Sequence, residues 1–267
     1  MTTPAAEIKT CCANLYASDW VRLLVGESFH PGGLALTERL GQLLGLSTTS
    51  RVLDVAAGRG ASALHLARVF GCKVTGIDYS GRSVSLATER AEREDLHDRV
   101  DFRPGDAEQL SALADASFDA VFCECAYCTF PNKHAAAAEI ARVLVPGGRF
   151  GLSDLTRNGP MPPELDGLLA WMACVGDAQP VASYVAGLQA VGFTIDRIEG
   201  HDQALIELVE QVRGRLLAAD LVTKIQKVEL PGDVDLQLAK RMARSATEAA
   251  RAGILGYSLI IATKPAH

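Results

Sequence analysis

The middle of the chain alternates short apolar runs with amphipathic stretches. "RVLDVAAGRG" (51–60) is an apolar run that ends in small residues, the pattern of a buried strand followed by a tight turn. "ASALHLARVFG" then predicts a helix, "CKVTGIDYS" (72–80) a second strand, and "SVSLATERAEREDL" an amphipathic helix. "VDFRPGD", "FDAVFCECA" and "GGRFGLSDL" predict a third, fourth and fifth strand, with the helix "HAAAAEIARVL" between the last two. Strands alternating with helices of this length imply βαβ units and a parallel sheet. Upstream, Leu34, Leu36, Leu40, Leu43 and Leu44 lie close to helical spacing after the turn "HPGG" at His30–Gly33. Downstream, "ELDGLLAWMACVG" and "VASYVAGLQAVGF" read as helices and "TIDRIEGHD" as a strand. A helical stretch over 203–250, interrupted by "ELPGD", precedes a last strand, "YSLIIATKP" (257–265).

These elements divide the chain into an N-terminal helical cap (1–48), a core (49–202), a helical insertion or lid (203–253) and a final core strand (254–267). The insertion has too little apolar content of its own to stand as a domain, and the chain returns to the sheet after it. The 267 residues are 48% hydrophobic and 22% charged, which excludes a disordered chain. A net charge of -6 argues against nucleic-acid binding, which needs a cationic face. Every apolar run is broken by charge before it reaches the length of a membrane span, and the N-terminus lacks the pattern of a secretory signal. The expectation is a cytoplasmic protein with reduced thiols and no membrane partner.

Two features carry candidate chemistry. The first is the loop after the first strand. Asp54 ends that strand, Ala56, Gly58 and Gly60 follow, and Asp78 ends the next strand 24 residues on. Small residues let a ligand approach the backbone, and a carboxylate at Asp78 suits a pair of ribose hydroxyls. Both a dinucleotide and S-adenosylmethionine fit that outline. An acidic residue at the head of the loop disfavours a pyrophosphate and suits a cationic amino-acid ligand. Asp106 after the third strand is placed to accept an adenine amino group, with the Ala107 N–H beside it. The second feature is "FCECAYC", where Cys123, Cys125 and Cys128 fall within six positions in a chain with seven cysteines. If the fourth strand persists, Cys123 and Cys125 share one face. Core packing explains Cys123, and a zinc site built from the three cysteines lacks a second pair of ligands.

"VLDVAAGRG", "VTGIDYS", "RPGDAEQL", "FDAVFCECAYCTF" and "RVLVPGGRFGLSD" resemble, in order, the motifs of class I S-adenosylmethionine-dependent methyltransferases. The resemblance implies an α/β fold: a seven-stranded, mostly parallel Rossmann-like sheet whose last strand is antiparallel. It implies S-adenosylmethionine as cofactor, held by Asp54, Ala56, Gly58, Gly60, Asp78, Tyr79, Asp106, Ala107 and Glu124. Ala56 stands where the family usually has glycine, and alanine is tolerable there if its φ is negative. His30 and Thr37 resemble a segment that closes over the cofactor in some members; a capping or surface histidine is the bland reading of His30.

A narrower resemblance is to the arsenite methyltransferases. Cys125 falls on the cysteine that ends their fourth strand, and Cys174, 49 residues on, falls on their second cysteine. This implies a trivalent arsenic substrate bound by the thiolates of Cys125 and Cys174, with Cys11 or Cys12 as a third ligand and a thiol reductant as a further partner. Arsenic held by sulfur keeps a lone pair for the methyl group, so no general base is needed. Glu124 replaces the family's asparagine, and a carboxylate there suits a cationic or hydroxylated substrate. Two other readings remain open. One is a methyltransferase of a small organic acceptor (O-, N- or C-methylation) whose cysteines line the pocket. The other is a cofactor-binding sensor whose thiols take up a metalloid without catalysis.

Overall fold

The computed structural model describes residues 7, 9–10, 26, 30–165, 175–226 and 235–266. Seven strands form one sheet in the order β3-β2-β1-β4-β5-β7-β6. They are β1 (Arg51–Val55), β2 (Lys73–Asp78), β3 (Val100–Pro104), β4 (Phe118–Glu124), β5 (Leu144–Arg157), β6 (Thr194–Gly200) and β7 (Leu255–Thr263). The pairs β1–β2, β2–β3, β1–β4 and β4–β5 are parallel. β7 inserts between β5 and β6 and is antiparallel to both. The expected seven-stranded, mostly parallel fold is therefore present.

Alternation along each strand sorts the core into two layers. Val52, Val74, Ala120, Phe122, Leu259 and Ile261 point to one face of the sheet. Leu53, Val55, Val121, Cys123, Ile260 and Ala262 point to the other. On the first face lie α1 (Gly33–Leu44), through Leu36, Leu40 and Leu44, and α2 (Ala61–Phe70), through Ala63, Leu64, Leu66 and Ala67. α3 (Gly81–Arg93) adds Ala91 to that face. The opposite face is covered by α4 (Lys133–Val143), through Ala136, Ala137 and Ile140, and by α5 (Val181–Ala190), through Tyr184 and Leu188.

Local chemistry sets the helix starts. Ser80 Oγ accepts from Ser83 N at the head of α3, and Asn132 Oδ1 from Ala135 N at the head of α4. α2 instead begins after Gly60, whose φ of 77° is left-handed. Between β6 and β7 run α6 (Asp202–Gln226) and α7 (Leu236–Arg251), the latter capped by Asp235 Oδ1 on Leu238 N. They pack on each other, and Leu205, Ala246 and Ala249 join the first core layer. "ELPGD" and most of "ELDGLLAWMACVG" lie outside the described residues. No described helix is long and apolar enough to cross a membrane.

Candidate active site

A cleft opens at the carboxyl ends of β1, β2, β3 and β4, where loops leave a parallel sheet free to bind ligands. Asp54, Ala56, Gly58, Asp78, Tyr79, Asp106, Ala107, Glu124 and Cys125 all line it. Gly60 is buried behind the loop, where an added Cβ would lie 2.5 Å from the Phe102 ring. Gly76 meets the same ring, its hypothetical Cβ 2.4 Å away. Phe102 thus packs into two places where only glycine fits, and it backs the cofactor loop.

The loop itself is pinned by Asp78. Its Oδ2 accepts from Gly58 N and its Oδ1 from Ser80 N, both at 2.8 Å. Burial raises the Asp78 carboxyl above its usual range, against the pull of those two bonds. Ala56, Gly58 and Gly60 all take left-handed φ values, 62°, 54° and 77°. The condition that would make alanine tolerable at this position, a negative φ, is therefore not met: alanine occupies a glycine-type conformation and carries its strain.

Asp54 is buried at the floor of the cleft, and its Oδ2 has no hydrogen-bond partner among the described residues. Burial, together with the nearby Glu124 and Asp78 carboxylates, pushes its carboxyl well above the usual range. A buried carboxylate oxygen left open toward a cleft fits a cationic ligand. At the other end of the cleft, Asp106 is engaged by Lys9, whose Nζ lies 3.0 and 2.7 Å from its two oxygens and 2.7 Å from Glu108 Oε2. Burial works against the charge on Lys9, but the bonds to Asp106 and Glu108 outweigh it and raise its pKa. Lys9 also lines the cleft, a placement no pattern in the sequence announces.

Glu124 ends β4 as the centre of a polar cluster. Its Oε2 accepts from Ser62 Oγ at 2.6 Å and Thr37 Oγ1 at 2.9 Å, and its Oε1 from Ser153 Oγ at 3.3 Å. His30 Nε2 stands 3.5 Å from Oε2 and 3.2 Å from Thr37 Oγ1. His30 is buried and lines the cleft, so the capping or surface reading of this residue is set aside. Ser62 and Ser153 were not singled out in the sequence. Ser62 sits two residues past Gly60 and was within reach of the motif; Ser153 joins only through the β4–β5 register, opposite Glu124.

The cysteines separate. β4 ends at Glu124, and Cys125 turns away with a left-handed φ of 51° while its N–H donates to Ser153 O. The expected shared face is corrected for this reason: Cys123 packs in one core layer and Cys125 against the other. Burial raises the Cys123 thiol far above its ordinary value, with Asp154, Asp54 and Glu124 adding to it. Burial likewise pushes the Cys72 thiol up to about 11. Cys128 is buried in the turn Tyr127–Thr129, its N–H donating to Asp154 Oδ2. Among the described cysteines only Cys125 lines the cleft, and no three described His, Cys, Asp or Glu side chains converge as metal ligands. Cys11, Cys12 and Cys174 lie outside the described residues.

Comparison with known proteins agrees with this geometry. Residues 53–152 match the family Methyltransf_11, described as a methyltransferase domain. The chain is 36% identical over 196 residues to 27-O-demethylrifamycin SV methyltransferase of Amycolatopsis mediterranei, covering 69% of this chain and 68% of that one. It is 37% identical over 129 residues to methyltransferase GfsG of Streptomyces halstedii, covering 48% and 46%. A sterol 24-C-methyltransferase of Gibberella zeae matches at 33% over 145 residues, 52% of this chain and 38% of that one. Among solved structures, the [4+2]-cyclase SpnF superposes with a TM-score of 0.81 at 22% identity, over 100% and 98% of the two chains. A geranyl diphosphate C-methyltransferase from Streptomyces coelicolor A3(2), in complex with S-adenosyl-L-homocysteine, gives 0.75 at 16%, over 98% and 100%. These two share the fold. With the open Asp54 carboxylate, the Asp78-pinned loop and the matched domain together, the chain belongs to the S-adenosylmethionine-dependent methyltransferases, and S-adenosylmethionine is its cofactor.

Proposed function

We propose that the methyl acceptor is a small organic molecule. The similarity to 27-O-demethylrifamycin SV methyltransferase, which extends over two thirds of both chains, carries this reading. The cleft supports it: beyond Glu124 its wall is formed by Cys125, Ala126, Thr129 and Phe130, a mainly apolar surface with one hydroxyl. Such a wall excludes water and orients a carbon skeleton, and proximity with alignment is the main contribution asked of the protein.

The residues divide the work. Asp54 holds the ammonium of the cofactor, Asp78 its ribose hydroxyls, and Asp106 with the Ala107 N–H its adenine. The open space over Gly58, where an added Cβ would meet nothing within 4 Å, lets the ligand approach the backbone. Bound S-adenosylmethionine supplies an electrophilic methyl group on a positively charged sulfur. Glu124, held by Ser62 and Thr37, keeps the His30 turn against the sheet and shapes the acceptor side.

Arsenite is the competing acceptor, because a cysteine, Cys125, does line the cleft. Arsenite titrated against the wild type and Cys125→Ser, followed by calorimetry, separates the two. The organic reading expects equally weak binding to both proteins. Tight binding to the wild type that Cys125→Ser abolishes would support a thiolate-held arsenic substrate and overturn it.

A further inference from the structure

Asp106, the carboxylate given above to the adenine amino group, is already bonded. Lys9 Nζ lies 3.0 and 2.7 Å from its two oxygens. Asp106 Oδ1 also accepts from Glu108 N at 3.0 Å, so that oxygen serves two donors. A lysine ammonium and an adenine amino group both act only as donors toward a carboxylate, and they call on the same lone pairs. Lys9 moreover lines the same cleft as Asp106.

We infer that Lys9 competes with the adenine of the cofactor for Asp106, so that binding of S-adenosylmethionine displaces the ammonium from this carboxylate. The inference rests on the placement of adenine at Asp106 under the proposed function and deepens it. Three observations carry it. The ion pair is not a loose surface contact: the Lys9 side chain is only 15% exposed, and charge-assisted bonds of this length are the strong ones. Asp106 is the carboxylate that a ligand reaches, since its side chain is 31% exposed against 13% for Glu108, and Asp106 lines the cleft where Glu108 does not. Glu108 is a place for the displaced ammonium: its Oε2 lies 2.7 Å from Lys9 Nζ, and its Oε1 is held by Asn132 N at 2.7 Å.

Two arrangements follow. In one, Lys9 bridges Asp106 and Glu108, as in this structure. In the other, Lys9 keeps Glu108 alone and Asp106 turns to the adenine. Apparent affinity falls by the fraction of protein in which Asp106 is open, and a hydrogen-bonded ammonium holds that fraction to about one tenth. Salt weakens the pair and raises the fraction.

Calorimetry with adenosine and S-adenosylmethionine tests this. Adenosine is neutral and carries the adenine and ribose, so it reports the site without the pull of an acidic cleft on a cation. Lys9→Met keeps the side chain's length and removes its charge. It is expected to bind both ligands about tenfold more tightly than the wild type, while Lys9→Arg keeps the wild-type affinity. Raising salt from about 0.02 M to about 0.5 M is expected to tighten adenosine binding to the wild type about two- to threefold and to leave Lys9→Met unchanged. Equal or weaker binding of both ligands by Lys9→Met would overturn the inference. If Lys9→Met fails to fold, the wild-type salt dependence alone decides, and unchanged or weakened adenosine binding at high salt overturns it. Adenosine binding unaltered in Asp106→Ala would overturn the placement of the adenine, and the inference with it. No binding of S-adenosylmethionine to the wild type would instead overturn the cofactor assignment.

Discussion

Replacing Ala56 by glycine is expected to stabilise the protein, although it removes atoms from a partly buried position. Ala56 holds φ at 62°, and a left-handed conformation costs an ordinary residue about 1–2 kcal/mol. Glycine relieves that strain but regains freedom in the unfolded chain, which offsets about 0.4–1 kcal/mol. The lost methyl packs on the second core layer and is half-buried, so its removal costs about 0.4 kcal/mol, half of a fully buried carbon. The balance is a gain of about 0.5 kcal/mol, or about 1–2 °C in melting temperature for a chain of this size. Urea unfolding of the two proteins in parallel, with thermal melts as a check, measures it. A loss of more than about 1 kcal/mol in Ala56→Gly would refute the reasoning, since the methyl would then be a packing contact worth more than the strain.

Gly60→Ala should act in the opposite direction, losing about 2–5 kcal/mol, because left-handed strain adds to a Cβ placed 2.5 Å from the Phe102 ring. Urea unfolding checks it, and a loss under about 1 kcal/mol would mean that the ring gives way freely. For Asp54, the raised carboxyl in the free protein means that binding a ligand ammonium restores the charge and releases a proton. Affinity for S-adenosylmethionine should therefore rise with pH above the usual carboxylate range, and Asp54→Asn should bind weakly and without that dependence. Calorimetry in two buffers of different ionisation enthalpy reads the proton directly; the same buffer dependence in both proteins contradicts the assignment.

The strands and the cofactor loop were legible because their signals are local. β1 and β2 are apolar runs closed by Asp54, Asp78 and small residues, and nothing distant is needed to read them. Cys125 was legible as a cleft residue but not in its direction. A strand predicts alternation, and the left-handed turn that ends β4 depends on the bond from Cys125 N to Ser153 O, made by a neighbouring strand. The conformation of Ala56 was hidden for a related reason: composition favours a negative φ for alanine, and the loop pinned by Asp78 overrides that preference. Lys9 reaches Asp106 from 97 residues away, through a segment whose course no local pattern specifies. Glu124 lines the cleft, but its hydroxyl partners come from α1, α2 and β5, which only the packed fold brings together.

The central claim is methyl transfer from S-adenosylmethionine to an organic acceptor, and a single competition assay addresses it. The wild-type protein is incubated with carbon-13 methyl-labelled S-adenosylmethionine, a panel of hydroxylated polyketides and sterols, and arsenite with reduced glutathione, and the products are resolved by mass spectrometry. The account predicts label in one or more organic acceptors and none on arsenic. Label found on arsenic alone would contradict it.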